Sequence, residues 1–200
     1  MNSLSFKKLQ LAWPLLLVLV TVSCSSLQKP PLPPPVVNVT LAPSLMHSVT
    51  VGEISGGKDW IVRPNTELSE STFKNMLERT FAAQGMLAAE NQPARYMIAA
   101  TMNYDAPDIV TPWSELTVNL DTTYDVISTQ THQIIWRTTI HSTASAPPLH
   151  DGNVLVAILV GTPAENRNRT QNVSGQATQN NMEEFCKRIV AAFSQQRAMY

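Results

Sequence analysis

The sequence is poor in cysteine and in charge, and both shortages restrict what the chain can do. Its 200 residues contain two cysteines, Cys24 and Cys186, and only 14% of them are Asp, Glu, Lys or Arg. The sequence therefore contains no cysteine cluster of the kind that holds zinc. With a formal net charge of −1, the chain has no basic patch able to neutralise several phosphates, which argues against a nucleic-acid partner.

The sequence also lacks the short motifs that carry catalysis. It has no G-x-S-x-G nucleophile elbow, and residues 55–58, Ser-Gly-Gly-Lys, lack the rest of a phosphate-binding loop. The histidines show no paired spacing typical of a metal site: His47, His132, His141 and His150. Five carboxylates could converge as an acid–base pair, although such residues usually serve solubility: Asp105, Asp108, Glu115, Asp121 and Asp125. We therefore expect neither enzymatic activity nor a cofactor.

The first 24 residues have the arrangement of a secretory leader. Lys7 and Lys8 precede an apolar run over residues 9–22, shorter than the ~20 apolar residues of a membrane-spanning helix, and Ser23 and Cys24 follow it. Residues 20–24, Val-Thr-Val-Ser-Cys, resemble the lipobox of bacterial lipoproteins, in which a peptidase cuts before a lipid-modified cysteine. The resemblance implies that residues 1–23 are removed and that acylated Cys24 anchors the chain in membrane lipid.

The residues after Cys24 indicate a location and a linker. In that family an aspartate directly after the cysteine favours the inner membrane, so Ser25 implies the periplasmic face of the outer membrane. Six prolines follow before residue 45: Pro30, Pro31, Pro33, Pro34, Pro35 and Pro43. Because proline fixes φ and has no backbone donor, an extended stalk of up to ~60 Å is expected. We thus predict a signal peptide over residues 1–23, a lipid anchor and linker over 24–44, and a folded periplasmic domain over 45–200.

Within the domain, strand-like segments carry most of the pattern. A β-like run over residues 47–54 ends at Gly56 and Gly57, and residues 60–62 could continue it. Three later segments alternate with a period of two, over residues 96–104, 116–126 and 134–140, and a loose loop over 128–133 joins the last two as a hairpin. The polar residues of the middle segment predict that one face of the sheet is solvated: Asn119, Asp121, Thr123 and Asp125.

Two segments have helical spacing. One apolar stripe lies in residues 73–81, between a candidate N-cap at Ser69 or Ser71 and a stop at Gly85. The second stripe lies in residues 182–193 and includes Cys186, which we interpret as a buried core thiol and not a nucleophile. The residues before it, 169–179, are polar and rich in Asn and Gln. Residues 144–152 are predicted to form a loop, and periodicity leaves 154–160 open between helix and strand.

The order of these elements predicts an α+β fold. We expect an antiparallel sheet of about four strands with two amphipathic helices on one face, preceded by the proline-rich stalk. Residues 49–57, 73–85 and 123–136, in this order behind a lipid anchor, resemble small periplasmic lipoproteins of the transport-auxiliary and penicillin-binding-protein-activator type, and the amino-terminal-domain fold of the Tol translocation protein.

That resemblance implies a non-catalytic accessory or adaptor subunit whose partner is another envelope protein or a glycan. The alternative is an envelope enzyme, for example an acyl- or glycan-modifying transferase. A cleft with convergent polar groups would favour the enzyme, whereas an exposed apolar patch or a free sheet edge would favour the binding protein.

Overall fold

The computed structural model of this chain describes Pro35, Val37 and residues 40–57, 68–107, 111–149 and 163–195. These ranges form six elements, in the order β1 (Val49–Ser55), α1 (Glu70–Ala83), β2 (Tyr96–Asp105), β3 (Leu116–Ser128), β4 (Ile134–Ala146) and α2 (Pro163–Gln195). The α+β class with four strands and two helices is confirmed. The predictions for the leader, Cys24, most of the stalk, residues 60–62, Asp108, His150 and residues 154–160 lie outside the described residues.

The sheet has the order β1-β2-β3-β4 and is mixed, so the prediction of a wholly antiparallel sheet is wrong. The β2–β3 and β3–β4 pairs are antiparallel, but β1 pairs with β2 in parallel. The reason is α1, which lies between these two strands in the chain. A helical crossover carries the chain back along the sheet, so β1 and β2 begin at the same end.

Local signals mark the end of β1 and both ends of α1. The predicted N-cap is confirmed at Ser69, whose hydroxyl accepts a hydrogen bond from the Thr72 N–H at 3.1 Å. Gly85 follows the C-terminus of α1 with a φ of +70°, a conformation that suits glycine. Gly56 ends β1 with a φ of +80°, and a Cβ there would lie 2.0 Å from the Met102 carbonyl oxygen. Only glycine fits this approach of β1 to β2.

The two faces of β3 differ as predicted. Its helix-facing side chains are all buried: Leu116, Val118, Leu120, Thr122, Tyr124 and Val126. The opposite side chains lie on the solvated face. The hairpin loop after β3 is loose, as expected, with the Ser128 N–H donating to the Gln133 carbonyl at 2.9 Å and His132 at a φ of 57°. β4 continues through Ala146, so the loop predicted from residue 144 begins too early.

The long helix α2 begins at Pro163 and spans 33 residues, whereas the apolar stripe alone predicted a helix near residues 182–193. The Asn- and Gln-rich residues 169–179 are helical because, apart from Arg169, their inward-facing side chains are small or bond to the helix itself. Thr178 Oγ1, for example, donates to the Ser174 carbonyl at 2.8 Å. Among the described residues, neither helix contains an apolar stretch long enough to cross a bilayer.

Aromatic rings join both helices to the middle of the sheet. Tyr124 of β3 stacks on Phe185 of α2 with a centroid distance of 3.9 Å, and Phe81 of α1 lies 6.1 Å from Phe185. Such pairs contribute about 0.5–1.5 kcal/mol each beyond their buried area. Val37 and Ala42, within the stretch expected to be linker, are also buried in this core.

Candidate functional site

The two aspartates of β3 pair with different side chains of β4 on the solvent face of the sheet. Asp121 Oδ1 lies 2.7 Å from His141 Nδ1, and Asp125 accepts two hydrogen bonds from Arg137, at 2.5 and 2.7 Å. The hydrogen bonds and charge of Asp125 raise the pKa of Arg137. Both pairs join directly opposite residues of β3 and β4. The two aspartates are four residues apart on one strand, which separates them by about 13 Å. They do not converge as an acid–base pair.

The other ionisable residues singled out from the sequence are dispersed. Asp105 is exposed at the end of β2, and Glu115 is exposed directly before β3. His47 and His132 lie in connecting segments with positive φ. Across the described ranges, no group of three His, Cys, Asp or Glu side chains is placed to hold a metal ion.

The thiol of Cys186 lies in the interior, on the core-facing side of α2. Burial, with a smaller contribution from the charge of Glu183, raises its pKa from 9.0 to about 12. A nucleophilic cysteine needs the opposite, a lowered pKa and access to solvent. The prediction that Cys186 is a core thiol is confirmed.

A buried polar network where α2 crosses β3 and β4 was not predicted from the sequence. Asn181 has no exposed surface, and its Oδ1 accepts a hydrogen bond from Tyr124 Oη at 2.8 Å. Its Nδ2 donates to the carbonyls of Leu120 and Ile140 and to Ser142 Oγ, at 3.1–3.2 Å. Because buried polar groups need partners, this network holds α2 in one position over the hairpin.

The sequence did contain a signal for this network. Apart from Arg169, the buried polar side chains of α2 recur every three or four residues: Thr170, Ser174, Thr178 and Asn181. That spacing places them on one helix face. Ser174 lies 2.6 Å from the hydroxyl of Tyr104 on β2, so the polar stripe faces the sheet.

Arg169 attaches the first half of α2 to the segment before β3 and to the end of β4. Its guanidinium is nearly buried and donates to the carbonyls of Thr111, Ser114 and Ala146, at 3.3, 2.7 and 2.8 Å. Burial lowers its pKa, and the charge of Glu115 opposes that effect. In the described residues, the role of Arg169 is therefore to hold α2 against the sheet.

A groove of about 370 Å³ lies beside Arg169, between α2 and the segment that follows β4. Ala146, Leu149 and Val173 form apolar parts of its wall, and Glu165 and Arg169 are its ionisable residues. These described side chains do not pair a nucleophile with a base, the arrangement that would favour the enzyme alternative.

The two outer strands of the sheet differ at one point, because β1 is bridged at Val49, its first residue, to the segment after α1. Beside β1, the Val49 N–H donates to the Met86 carbonyl at 3.0 Å, and the Ala88 N–H donates to the Val49 carbonyl at 2.8 Å. Beside β4, no described strand pairs with the outer side of its 13 residues. Alternate residues of such an edge direct their N–H and C=O groups outward, where another strand can pair with them.

β4 contains neither proline nor lysine, two residues that natural proteins use to block edge pairing, and near its middle the Thr139 carbonyl accepts a hydrogen bond from Arg188 Nη1 at 3.4 Å. Ile134 and Ile135 at its start are 50% and 42% exposed. The outer edge of β4 together with these two side chains, hereafter the β4 edge, is the candidate interaction site. Of the two alternatives weighed from the sequence, an unpaired edge is the feature expected of a binding protein.

Comparison with solved structures finds proteins that resemble this chain in part. A protein from Caulobacter crescentus described as a lipoprotein gives a TM-score of 0.48 at 9% identity, over 76% of this chain and 92% of that one. A DUF330 protein from Xanthomonas campestris gives 0.49 at 11%, over 83% and 98%. The minor lipoprotein from Acinetobacter baumannii gives 0.47 at 12%, over 73% and 94%. Similarity at this level establishes neither a shared family nor a shared function. By sequence, the chain matches no protein-family model and no curated protein.

Proposed function

We propose that this chain is a non-catalytic, lipid-anchored protein of the bacterial cell envelope, acting as an accessory or adaptor subunit on the periplasmic face of the outer membrane. It works by surface contact with another protein. The observation that carries the proposal is the β4 edge, which no described strand covers. A protein partner suits this site better than a glycan, because an added strand supplies the backbone groups that the edge requires.

The anchor part of the proposal rests on the leader and Cys24. Replacing Cys24 by alanine should abolish incorporation of labelled palmitate and release the protein from the membrane fraction, since the thioether-linked lipid is then lost. Cys186→Ala is the matched control, because it removes the other cysteine and should leave the label and fractionation unchanged. An unlabelled, soluble wild-type protein would contradict the anchor.

The contact part can be tested with a matched pair of threonines. Thr139 on β4 and Thr123 on β3 share one hydrogen bond, with their hydroxyl oxygens 3.0 Å apart on the solvent face. Replacing either by lysine removes that bond and adds the same charge, but only Thr139→Lys places the charge on the edge strand. Lysine on an edge strand opposes pairing.

We expect Thr139→Lys to remove the wild-type crosslinked adducts from intact envelopes and to abolish cellular function, while Thr123→Lys retains both. Equal behaviour of the two variants would exclude the β4 edge as the contact. The enzyme alternative would replace the proposal if one conservative carboxylate, histidine or serine change abolished function with folding and adducts intact.

A further inference from the structure

We propose that the β4 edge pairs with the β4 edge of a second copy of this chain, forming a two-fold dimer with a continuous eight-stranded sheet. This inference rests on the contact function proposed above and names the partner. A two-fold axis perpendicular to the sheet makes the two edge strands antiparallel, and each copy contributes the same surface. The argument comes from the register of β4 and from the charges of α2 beside it.

The register that overlaps all of β4 brings no like charges face to face. Ile140 is the central residue of the 13 in β4, so a two-fold axis at Ile140 pairs the whole strand with its copy. Thr139 then lies opposite His141 of the second copy, and Arg137 lies opposite Thr143. Neither of these cross-strand pairs places two positive side chains opposite each other, an arrangement that would be destabilising.

Two arginines show how α2 runs relative to β4. Arg169 Nη2 donates to the carbonyl of Ala146, at the end of β4, and Arg188 Nη1 lies 3.4 Å from the carbonyl oxygen of Thr139. The 19 helix residues between these arginines advance about 28 Å, and the seven strand residues advance about 24 Å. The helix therefore runs antiparallel to β4, and Arg188 lies beside the middle of the edge strand.

Glu184 places an opposite charge at the matching position. Its Oε1 accepts a hydrogen bond from Arg188 Nε at 2.8 Å, and both side chains are nearly half exposed. One helical turn moves Glu184 about 6 Å further toward the C-terminal end of β4. In the dimer, Arg188 lies just before the axis and Glu184 just after it, so each Glu184 faces Arg188 of the second copy. The interface is self-complementary in charge.

The spacing of the helices also fits. In each copy α2 contacts both β3 and β4, so its axis runs above the space between these two strands. With strands about 4.8 Å apart, the two α2 axes in the dimer are separated by about two strand spacings, or ~10 Å. Packed helices lie about 8–10 Å apart. The two α2 helices can therefore lie side by side on the continuous sheet.

The test uses charge reversal in the full mature chain, purified from membranes in detergent, with mass measured by sedimentation. The wild-type protein should have the mass of two copies. Arg188→Glu or Glu184→Arg should raise the dissociation constant on the order of tenfold to a hundredfold, and more at low salt, because like charges then oppose each other across the axis. The double swap, Glu184→Arg with Arg188→Glu, should restore the dimer.

Lys187→Glu is the matched control. Lys187 forms an i,i+4 pair with Glu183 at 2.7 Å, so this variant breaks an equivalent pair within the same turns of α2 but leaves the dimer intact. A monomeric wild-type protein, an assembly of more than two copies, or a dimer indifferent to the reversals would overturn the inference, as would a double swap that folds but stays monomeric.

The results also separate the dimer from the contact function. A monomeric wild-type chain whose envelope adducts are lost in Thr139→Lys would refute the dimer and keep the function. A charge-dependent dimer in which Thr139→Lys and Thr123→Lys behave alike in cells would keep the dimer and refute the function.

Discussion

The covered and open faces of the β3–β4 hairpin hold their polar groups in different ways. On the covered face, Asn181 makes its hydrogen bonds entirely within the protein. On the open face, the side chains of the Asp121–His141 pair are 42% and 75% exposed. A buried group that loses its partner has no water to replace it, whereas an exposed pair exchanges its partners with solvent. The stability of this domain should therefore depend on the covered face, and the open face should tolerate change.

High pH should lower the free energy of unfolding through ionisable groups buried on the covered face, and this is the largest effect we expect. Burial raises the pKa of Cys186 from 9.0 to about 12 and raises the pKa values of Tyr124 and Tyr104 above 10.0. Their stabilising contribution is complete below the unfolded-state pKa values and is lost as pH rises, because the unfolded chain releases these protons first. For Cys186 the loss is about 1.4 kcal/mol per pH unit between pH 9 and 12.

Denaturant unfolding at a series of alkaline pH values measures this effect. Cys186→Ala should reduce the slope of stability against pH just above pH 9, before the tyrosines titrate. An unchanged slope in that variant, or stability that rises with pH, would contradict the assignment of Cys186 to the covered core.

Removing a core ring should have the next largest effect. Phe81 is fully buried, and Phe193 packs edge-on against Tyr96 at a centroid distance of 5.1 Å. Phe81→Ala and Phe193→Ala should each cost about 3–5 kcal/mol, because the cavity adds to the lost burial. Trp113→Ala, at a half-exposed aromatic residue, is the control and should cost much less. A loss below about 1 kcal/mol for either phenylalanine would mean that its ring is not part of the core.

The buried network should respond more moderately. Asn181→Ala leaves the Tyr124 hydroxyl without its acceptor and should cost about 1–3 kcal/mol. Asn180→Ala is the matched control, because Asn180 is the next residue along the helix. In the described hydrogen bonds, its side chain accepts only from exposed Gln176, at 2.9 Å. Equal losses of unfolding free energy for the two variants would show that burial of the network does not matter.

The open face should show the smallest effect. Asp121→Asn and Asp125→Asn each change one side-chain pair on the solvent face, so unfolding midpoints should change less than in any core variant, and cellular function should persist. Envelope crosslinking and complementation measure this directly. Loss of function in either variant, with folding preserved, would contradict the expectation that the open face tolerates change.

The parts of the fold that were predictable depend on neighbours in sequence. α1 begins at the predicted Ser69 and is followed by Gly85 because a cap and a left-handed glycine act within one turn of chain. The parallel pairing of β1 with β2 was not predictable from the strands themselves, since both directions of pairing suit the same residues. The early start of α2 was missed because Thr170, Ser174 and Thr178 look like a surface until the sheet covers them.

The sequence by itself determined the alternation of β3 and β4, the two apolar helix stripes and the burial of Cys186, because periodicity reports which side of an element avoids water. Only the tertiary structure decided that β4 is an edge and β3 is interior, although both alternate in the same way. Strand order is a matter of which distant segments pair, and it placed Glu184 and Arg188 beside the β4 edge. The candidate site exists only in the folded chain, since the place of β4 at the edge of the sheet depends on how the four strands pair.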